Sequence, residues 1–339
     1  MIPLPWPMAT DYSDNEGNSM RKLLSTFVLL AATSSLHPAA QAANCDRTCL
    51  SGMLDSYLAA VAGHDPNKAP LIPGFRQTEN AVAVPLGKGA WGSITAIHKQ
   101  HNRYLDAVNG QALWYGVMDE GKVPVVVMIR IKVEDKEISE AEWYISRPRQ
   151  AGMQGPVEPD GSNATLYDPA YLEAHQPPVR NVTMKNRLKR NSLIGIANSY
   201  FDALTASNPE LMLAKPDCFR VENGALTAGR PLAAGRTDGY NGKTNCQSGL
   251  GTFNMSLVGD RRFLVIDEEQ QVAVTSAVFL RNADAYQRRC VFLELFYIDD
   301  RQLSQVYSVI WYPDPGVPVP NWEPYIGNFP LPSSFGKAR

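Results

Sequence analysis

The chain has 339 residues, of which 44% are hydrophobic and 19% charged, and 32 Lys and Arg residues against 34 Asp and Glu residues give a formal net charge of −2. This length suits about two domains of ordinary size, and the apolar fraction is too high for a disordered chain. The near-neutral charge excludes a nucleic-acid-binding protein that depends on a strongly basic surface.

The N-terminal segment is typical of an export signal. Met20-Arg21-Lys22 is basic, residues 23–32 are apolar, and Ala40-Gln41-Ala42 has the small-residue pattern of a cleavage site. The apolar run is shorter than the roughly 20 residues that cross a bilayer, and a buried N-terminal helix is the alternative interpretation. We therefore predict a signal peptide over residues 20–42, a fold that excludes residues 1–42, and a periplasmic or secreted protein.

Five cysteines lie beyond this signal, and an oxidising compartment permits disulfides. Cys45 and Cys49 are four residues apart at the start of a helix, and Cys218 and Cys246 flank a Gly-rich loop. We predict these two pairs, with Cys290 as the odd cysteine, although five cysteines allow other connectivities.

An internal repeat sets the predicted architecture. Residues 55–66 align without gaps with residues 198–209, and both copies continue with Phe-Arg and Glu-Asn, as FRQTEN and FRVEN. Two later matches follow in the same order: Arg103-Tyr-Leu with Arg262-Phe-Leu, and residues 137–143 with residues 302–308. Four matches in one order predict two copies of one module.

Each copy reads as a helix followed by a sheet. Apolar residues recur at helical spacing over 50–61, and strand patterns cover 112–118, 123–133 and 138–146. The turns between these strands are too short for crossover helices, so we predict an antiparallel sheet. The Pro-rich residues 148–190 form the predicted linker, with a short helix over 167–175. We accordingly predict a first domain over 43–147, a second over 191–315 and a tail over 316–339.

The fold class that this pattern predicts is α+β. A long helix packed in a curved sheet, twice over, resembles the cone-shaped barrel of the SnoaL-like, nuclear transport factor two-like and ketosteroid isomerase-like superfamily. The segments LGKGAW, CFRVENG and RRFLVIDEE resemble a family of exported microbial proteins without an established activity. The resemblance implies two tandem cones whose apolar interior hosts cofactor-free proton transfer.

The sequence argues against a bound dinucleotide or metal. Residues 87–92 match G-x-G-x-x-G, but a hairpin meander follows, whereas a dinucleotide site needs a parallel βαβ unit. The better interpretation is a tight turn that delivers Trp91 into the core or to a pocket rim. The sequence also lacks zinc-type spacings of His and Cys. We predict no cofactor and no metal.

Proton-transfer chemistry needs a base and a hydrogen-bond donor for the developing oxyanion. Glu79 or His101 is the candidate base, and the candidate donors are Tyr57, Tyr115 and Tyr144. Candidate substrate-binding residues are Arg76, Trp91, Trp114, Trp143 and His98. The two histidines share a face if residues 93–103 form a helix, and a solvated helix face is the equal alternative.

The second copy offers the equivalents Tyr200, Arg220 and Glu222. The recurring Arg and Glu have a second interpretation, a buried ion pair in each copy that fixes a loop. Which copy holds the working pocket stays open at this point.

The leading function is a cofactor-independent lyase or isomerase (dehydration, retro-aldol cleavage or double-bond shift) that acts on a hydroxylated aromatic or polycyclic small molecule. The alternative is a non-catalytic module that binds a hydrophobic ligand or dimerises. The expected partner is a small apolar or aromatic ligand, without nucleic acid or a membrane span. The two copies form a pseudo-dimer within one chain, and a homodimer stays open.

Overall fold

The structure is a computed structural model that describes residues 45–152, 164–229, 245–253, 255–281, 289–313 and 317. All of them belong to one compact unit, Gln41–Arg339. The predicted signal peptide lies outside the described residues, as do residues 318–339 of the predicted tail. Over the described ranges, no helix is both long and apolar enough to cross a membrane.

The first repeat begins with the predicted long helix. Helix α1 (Arg47–Ala62) starts where the Asp46 side chain accepts a hydrogen bond from the backbone N–H of Cys49, and it ends at Gly63. Its buried face carries Leu50, Leu54 and Tyr57 at helical spacing. The strands and a short helix follow in the order β1 (Leu71–Glu79), β2 (Val82–Ala83), α2 (Ala90–Ser93), β3 (Ile94–Asp106), β4 (Gln111–Glu120), β5 (Val123–Glu134) and β6 (Glu137–Ser146).

The second repeat has the same order after the short linker helix α3 (Pro169–Ala174), which lies within the predicted range. Its elements are α4 (Arg190–Thr205), β7 (Ala214–Glu222), β8 (Ala225–Ala228), β9 (Met255–Asp267), β10 (Val272–Arg281), β11 (Cys290–Asp299) and β12 (Gln302–Trp311). Two tandem α+β units are therefore present, as predicted. The limits assigned to the two domains from the sequence stay predictions.

Each repeat forms one open six-stranded sheet. The strand orders are β2-β1-β6-β5-β4-β3 and β8-β7-β12-β11-β10-β9. The prediction of an antiparallel sheet is wrong for one pair in each, because β1 runs parallel to β6 and β7 runs parallel to β12. Hairpin turns dictate the direction of consecutive strands only, and neither pair is joined by a hairpin. The described strands do not close into barrels, so each unit is an open cone.

The cysteine prediction is confirmed. Disulfides join Cys45 to Cys49 and Cys218 to Cys246, and Cys290 is a buried free thiol in β11. Bond formation between cysteines 28 residues apart closes a loop in the second repeat and restricts the unfolded chain.

Three hydrophobic cores hold the molecule together. One fills the concave side of each sheet beneath its long helix, and the third lies between the two sheets. The third core draws residues from both repeats, among them Tyr115, Tyr144, Leu293 and Tyr307. The two copies therefore pack sheet against sheet within one chain, as the pseudo-dimer prediction required.

The contact between the repeats has an approximate two-fold pattern. Asp106 ends β3 and accepts a hydrogen bond from the backbone of β9 at 3.0 Å, while Asp267 ends β9 and accepts one from the backbone of β3 at 2.9 Å. Arg190, the first residue of α4, pairs with Asp106 at 2.8 Å, and Arg47, the first residue of α1, pairs with Asp267 at 2.9 Å. Both carboxylates are buried, and each needs the positive charge of an arginine to offset the cost of its burial. In each case that arginine belongs to the other repeat.

Candidate functional site

Strand register shows which residues of the two repeats occupy the same place. Across each sheet, four directly paired residues form a row on the concave face. From β4 to β1 the first row is Trp114, Ile129, Trp143 and Glu79, and from β10 to β7 the second row is Thr275, Glu294, Ser308 and Glu222.

Position within the strands confirms that these rows correspond. Trp114 and Thr275 are each the fourth residue of their strand, and Glu79 and Glu222 are each the last. Trp143 and Ser308 are each the seventh residue of theirs. Two indoles and an isoleucine in the first repeat are therefore replaced by two hydroxyls and a carboxyl group in the second.

The same register corrects the alignment of the arginines. Gln77 and Arg220 are each the seventh residue of their strand, so Arg220 corresponds to Gln77 and not to Arg76. Arg76 corresponds instead to Phe219, on the opposite face of the strand from Gln77. The shared Phe-Arg pair misled the alignment because the two copies differ by one residue between that pair and the glutamate.

In the first repeat, aromatic side chains fill the interior. The Tyr57 ring lies 5.4 Å from that of Trp91 and 6.1 Å from that of Trp143. Trp143 Nε1 donates to the Tyr57 hydroxyl at 2.8 Å, and Trp91 Nε1 donates to Gln77 Oε1 at 2.7 Å. All three aromatic residues are at most 2% exposed, so this interior is packed and its polar atoms are largely satisfied.

The first-repeat glutamate is part of an ion-pair cluster. Glu79 pairs with Arg147 at 2.6 Å and accepts a hydrogen bond from the backbone N–H of Ala90 at 2.9 Å, which fixes the turn before α2. Arg147 also pairs with Glu120 at 2.6 Å. Through these contacts, Glu79 holds the turn that carries Trp91 in place.

In the second repeat, the interior row presents unsatisfied polar atoms. Glu294 Oε2, Thr275 Oγ1 and Ser308 Oγ are buried and have no hydrogen-bond partner within the described part of the chain. Burial and the Glu222 carboxylate raise the pKa of Glu294 well above its ordinary value, against an opposing contribution from Arg220, and this favours its uncharged, protonated form. Buried polar atoms are normally paired, so these three are the candidate polar contacts for a ligand in this interior.

Arg220 organises the other end of this row. Its Nε lies 2.9 Å from Glu222 Oε1 and 3.2 Å from Thr227 Oγ1, and its Nη1 donates to the Tyr200 hydroxyl at 3.5 Å. Arg220 is fully buried, whereas the Glu222 side chain is 15% exposed. The row therefore has one carboxyl group beside a guanidinium near solvent, Glu222, and one deeper inside, Glu294, and two carboxyl groups in different environments suit acid–base chemistry.

An aromatic wall flanks Glu294. Glu294 lies between Phe292 and Phe296 on β11, both of which belong to the core of the second repeat. The Tyr200 ring lies 5.2 Å from that of Phe296, and burial raises the pKa of the Tyr200 hydroxyl, with further contributions from nearby charged groups. A flat apolar molecule would contact the phenylalanines while the row supplies its polar contacts.

Several residues predicted for the site lie apart from one another. Tyr115 and Tyr144 face the core between the sheets, whereas Tyr57 belongs to the interior of the first repeat. Trp114 belongs to that interior as well, and its Nε1 has no partner within the described ranges.

Residues 93–103 do not form the helix that would place both histidines on one face, because β3 covers most of that range. An irregularity in the pairing of β3 with β4 between Ile97 and His101 explains how two polar residues three apart still lie close together. His101 Nδ1 lies 3.3 Å from the backbone oxygen of His98, and its ring lies 5.5 Å from that of Trp114.

His98 connects the first sheet to the linker. Its Nδ1 lies 2.6 Å from Glu173 Oε1 on α3, and its Nε2 lies 3.1 Å from Asp119 Oδ1. Burial lowers the pKa of His98, but hydrogen bonds and charges from Glu173 and Asp119 outweigh it, so the pKa is raised. His98 thus links the first sheet to the linker helix α3 through its ion pair with Glu173.

Sequence reasoning missed Thr275, Glu294 and Ser308. One signal was present, because the aligned segments 137–143 and 302–308 end in Trp143 and Ser308. An open groove of about 490 Å³ along α4 shares no residue with the row. Over the described residues, no group of three or more His, Cys, Asp or Glu side chains is arranged to hold a metal ion.

Comparisons with known proteins give partial matches. A family model described as a domain of unknown function (DUF8021) matches residues 186–310, which contain most of the second repeat. No curated protein matches the chain. A crystal structure of a protein from Sphaerobacter thermophilus is 15% identical, with a TM-score of 0.22, and the match covers 28% of this chain and 94% of that one. A crystal structure of a Kribbella flavida protein, described as a "putative ketosteroid isomerase", is 18% identical, with a TM-score of 0.25, and the match covers 42% of this chain and 93% of that one.

Proposed function

We propose that the interior of the second repeat binds an uncharged, partly apolar small molecule and transfers protons on it without a cofactor. The observation that carries this proposal is the exchange of Trp114, Ile129 and Trp143 for Thr275, Glu294 and Ser308 at corresponding positions. The first repeat then serves as the packed partner of the pseudo-dimer.

The charges support a division of roles. Glu222, beside the guanidinium of Arg220, is the base, and Glu294, whose protonated form is favoured by burial, is the acid. Glu222 removes a proton from a carbon next to a carbonyl group, the electron pair moves to the carbonyl oxygen, and Glu294 donates its proton there. The Tyr200 hydroxyl, near the same end of the row, is a further donor.

The resulting enol has two balanced outcomes. Return of a proton to a different carbon, with the enol proton returning to Glu294, completes a double-bond shift. Departure of a hydroxyl group from the carbon next to the deprotonated one, with Glu222 supplying the proton that makes it water and the enol proton returning to Glu294, completes a dehydration. Both reactions fit a cofactor-free lyase or isomerase acting on a hydroxylated aromatic or polycyclic molecule, with the aromatic wall contacting its rings.

Hydrogen–deuterium exchange tests the shared first step. Hydroxylated aromatic ketones, beginning with 6-hydroxy-1-tetralone, are incubated with the protein in D2O, and loss of the proton signals beside the carbonyl is followed by NMR. Glu222→Gln and Glu294→Gln should each slow exchange by about 100-fold or more, the usual contribution of a positioned acid or base. Glu79→Gln is the matched change in the first repeat.

The comparison between repeats decides the result. Loss of exchange in Glu79→Gln but not in Glu222→Gln would place the chemistry in the first repeat and refute the proposal. Absence of acceleration by the unchanged protein would refute catalysis on these ketones. Ketone binding is measured separately by saturation-transfer NMR. If the unchanged protein binds the ketone without accelerating exchange, and Glu294→Gln does not bind it, the result would support the alternative of a ligand-binding module in the same interior.

We also infer that the protein is exported. Two disulfides form within the described residues, and such bonds persist in oxidising compartments. Mass spectrometry of the protein recovered from its native host tests this inference: cleavage near Ala43 and two intact disulfides are expected, and a cytosolic, reduced protein would contradict it.

A further inference from the structure

The two repeats differ in the aromatic residue that closes the concave side. Gly87-Lys88-Gly89-Ala90-Trp91 precedes β3, and Gly249-Leu250-Gly251-Thr252-Phe253 precedes β9. The glycines align in both segments, and Trp91 and Phe253 stand three and two residues before the strand that follows, so the two aromatic residues occupy similar places with an offset of one residue. This match extends the internal repeat through the turn that delivers an aromatic side chain to the interior.

The two side chains contact corresponding partners. Trp91 donates to Gln77, and the Phe253 ring lies 5.7 Å from the guanidinium carbon of Arg220, the residue that replaces Gln77. Trp91 is 1% exposed, whereas Phe253 is only partly buried. Phe253 therefore covers the charged end of the polar row with one face while remaining in contact with solvent.

Exposure along the row gives the direction of access. Thr275 and Ser308 are 0% exposed and Glu294 is 3% exposed, whereas the Glu222 side chain is 15% exposed. Glu222 thus marks the end of the row nearest solvent, and its partner Arg220 lies under the Phe253 ring.

The segment that carries Phe253 is tethered to the first strand of its sheet. Cys246 is bonded to Cys218 on β7, and its backbone N–H donates to the backbone oxygen of Cys218 at 2.9 Å. Gln247 Nε2 donates to the backbone oxygens of Pro209 and Met212 at 3.2 and 3.0 Å. These bonds attach Cys246 to β7 two residues before Arg220 and attach Gln247 to the segment before β7, so the chain that leads to Phe253 is anchored at its start.

We propose that Phe253 controls access to the interior of the second repeat and limits the size of the molecule that enters. A ligand passes between Phe253 and Glu222, and its leading polar group reaches Glu294 and Thr275. The proposal rests on the function proposed above, since it concerns the same interior, but it concerns access and not proton transfer.

Thiol accessibility tests access without requiring a known ligand. Ser308→Cys places a reporter thiol deep in the row, in a Cys290→Ala background that removes the native free thiol. Its reaction with methyl methanethiolsulfonate and with the bulkier benzyl methanethiolsulfonate is followed by mass spectrometry. Phe253→Trp should slow the reaction by about tenfold or more and Phe253→Ala should speed it by a similar factor, a change of about 1.4 kcal/mol in the barrier.

Size dependence and a matched variant sharpen the result. The effect of Phe253→Ala should be larger for the benzyl reagent than for the methyl reagent, and Phe253→Leu repeats the test with a milder change if Phe253→Ala unfolds. Trp91→Phe makes the reciprocal exchange in the first repeat and should leave the Ser308→Cys rate unchanged. Circular dichroism and thermal unfolding establish that each variant is folded.

Three outcomes would overturn the proposal: equal rates in the Phe253 variants, an equal effect of Trp91→Phe, or no modification of Ser308→Cys in any folded variant. The rates do not depend on catalysis, so the two proposals fail separately. Phe253-dependent labelling with no deuterium exchange would leave access through Phe253 standing and refute proton transfer.

Discussion

Glu142 provides the most direct test of how the two repeats are held together. This residue of β6 is 0% exposed, and its Oε2 accepts hydrogen bonds from Arg130 Nε at 3.0 Å and Arg262 Nη1 at 3.1 Å. Its Oε1 accepts a third from Arg262 Nη2 at 2.5 Å. Arg130 belongs to the first repeat and Arg262 to the second, so one carboxylate pairs with guanidinium groups from both sides of the interface.

Replacing Glu142 with Gln removes the negative charge and leaves two buried arginines, 2% and 6% exposed, without their shared carboxylate. Breaking a buried ion pair in this way costs about 3–5 kcal/mol in the free energy of unfolding. A domain is stable by only about 5–15 kcal/mol, so the loss is a large fraction of the total.

Glu140→Gln is the matched control. Glu140 pairs with the same Arg130 at 2.8 Å, but its side chain is 28% exposed, so its loss should cost about 0–1 kcal/mol. Urea unfolding of the three proteins, followed by circular dichroism and tryptophan fluorescence, measures both values. Equal losses in the two variants, or a loss below about 1 kcal/mol in Glu142→Gln, would show that burial does not set the strength of this interaction.

The pH dependence of Glu142 has a definite sign. Burial raises the pKa of Glu142, but Arg262 and Arg130 lower it by more, so the folded-state pKa lies below its ordinary value. The stabilisation is therefore present above the unfolded-state pKa and is lost as the pH falls through the folded-state pKa. Unfolding of the unchanged protein should become easier at acidic pH, and Glu142→Gln should reduce this dependence.

Two further predictions follow from the first repeat. Because the pKa of His98 is raised, its ion pair with Glu173 on α3 stabilises the fold fully below about pH 6.5, the pKa of the unfolded state. This stabilisation is lost as the pH rises through the folded-state pKa. The melting temperature of the unchanged protein should therefore fall between pH 6 and 9 by more than that of His98→Asn. The expected contribution to the free energy of unfolding is below about 1 kcal/mol because the His98 side chain is 24% exposed. An equal fall in the two proteins would contradict a stabilising ion pair between His98 and Glu173. Trp143→Ser gives the first repeat the residue that the second repeat has at this position. The change should lower the free energy of unfolding in urea by about 3–5 kcal/mol, because it opens a cavity and leaves the Tyr57 hydroxyl without its indole donor. A loss below about 1 kcal/mol would show that the interior of the first repeat is not tightly packed.

Local pattern carried the prediction of the elements and their repetition. Helical spacing in α1, the alternating strands, and the Gly- and Asp-containing turns depend on residues close in sequence, and the two copies repeat them in order. The gapless match of residues 55–66 with 198–209 places Tyr57 and Tyr200 at corresponding positions on α1 and α4. The cysteine pairs were predictable for a similar reason, since each pair flanks a short local structure once export is assumed.

Residue roles were less predictable, because they depend on contacts between distant segments. Glu79 looked equivalent to Glu222, but it pairs with Arg147, 68 residues away in the sequence, and helps to hold a turn. Tyr115 and Tyr144 alternate correctly along their strands, yet the face that they occupy is covered by the other repeat. A strand pattern separates two faces without stating which face is covered by the helix and which by a second sheet.

The sequence by itself determined that this chain is a tandem α+β repeat with two disulfides. Only the tertiary structure decided that the repeats are unequal inside. The parallel pairing of β7 with β12 sets the register that places Glu222 next to Ser308 and in one row with Glu294 and Thr275. These residues come from four strands separated by up to 86 positions (308 − 222), and only the folded sheet makes them neighbours.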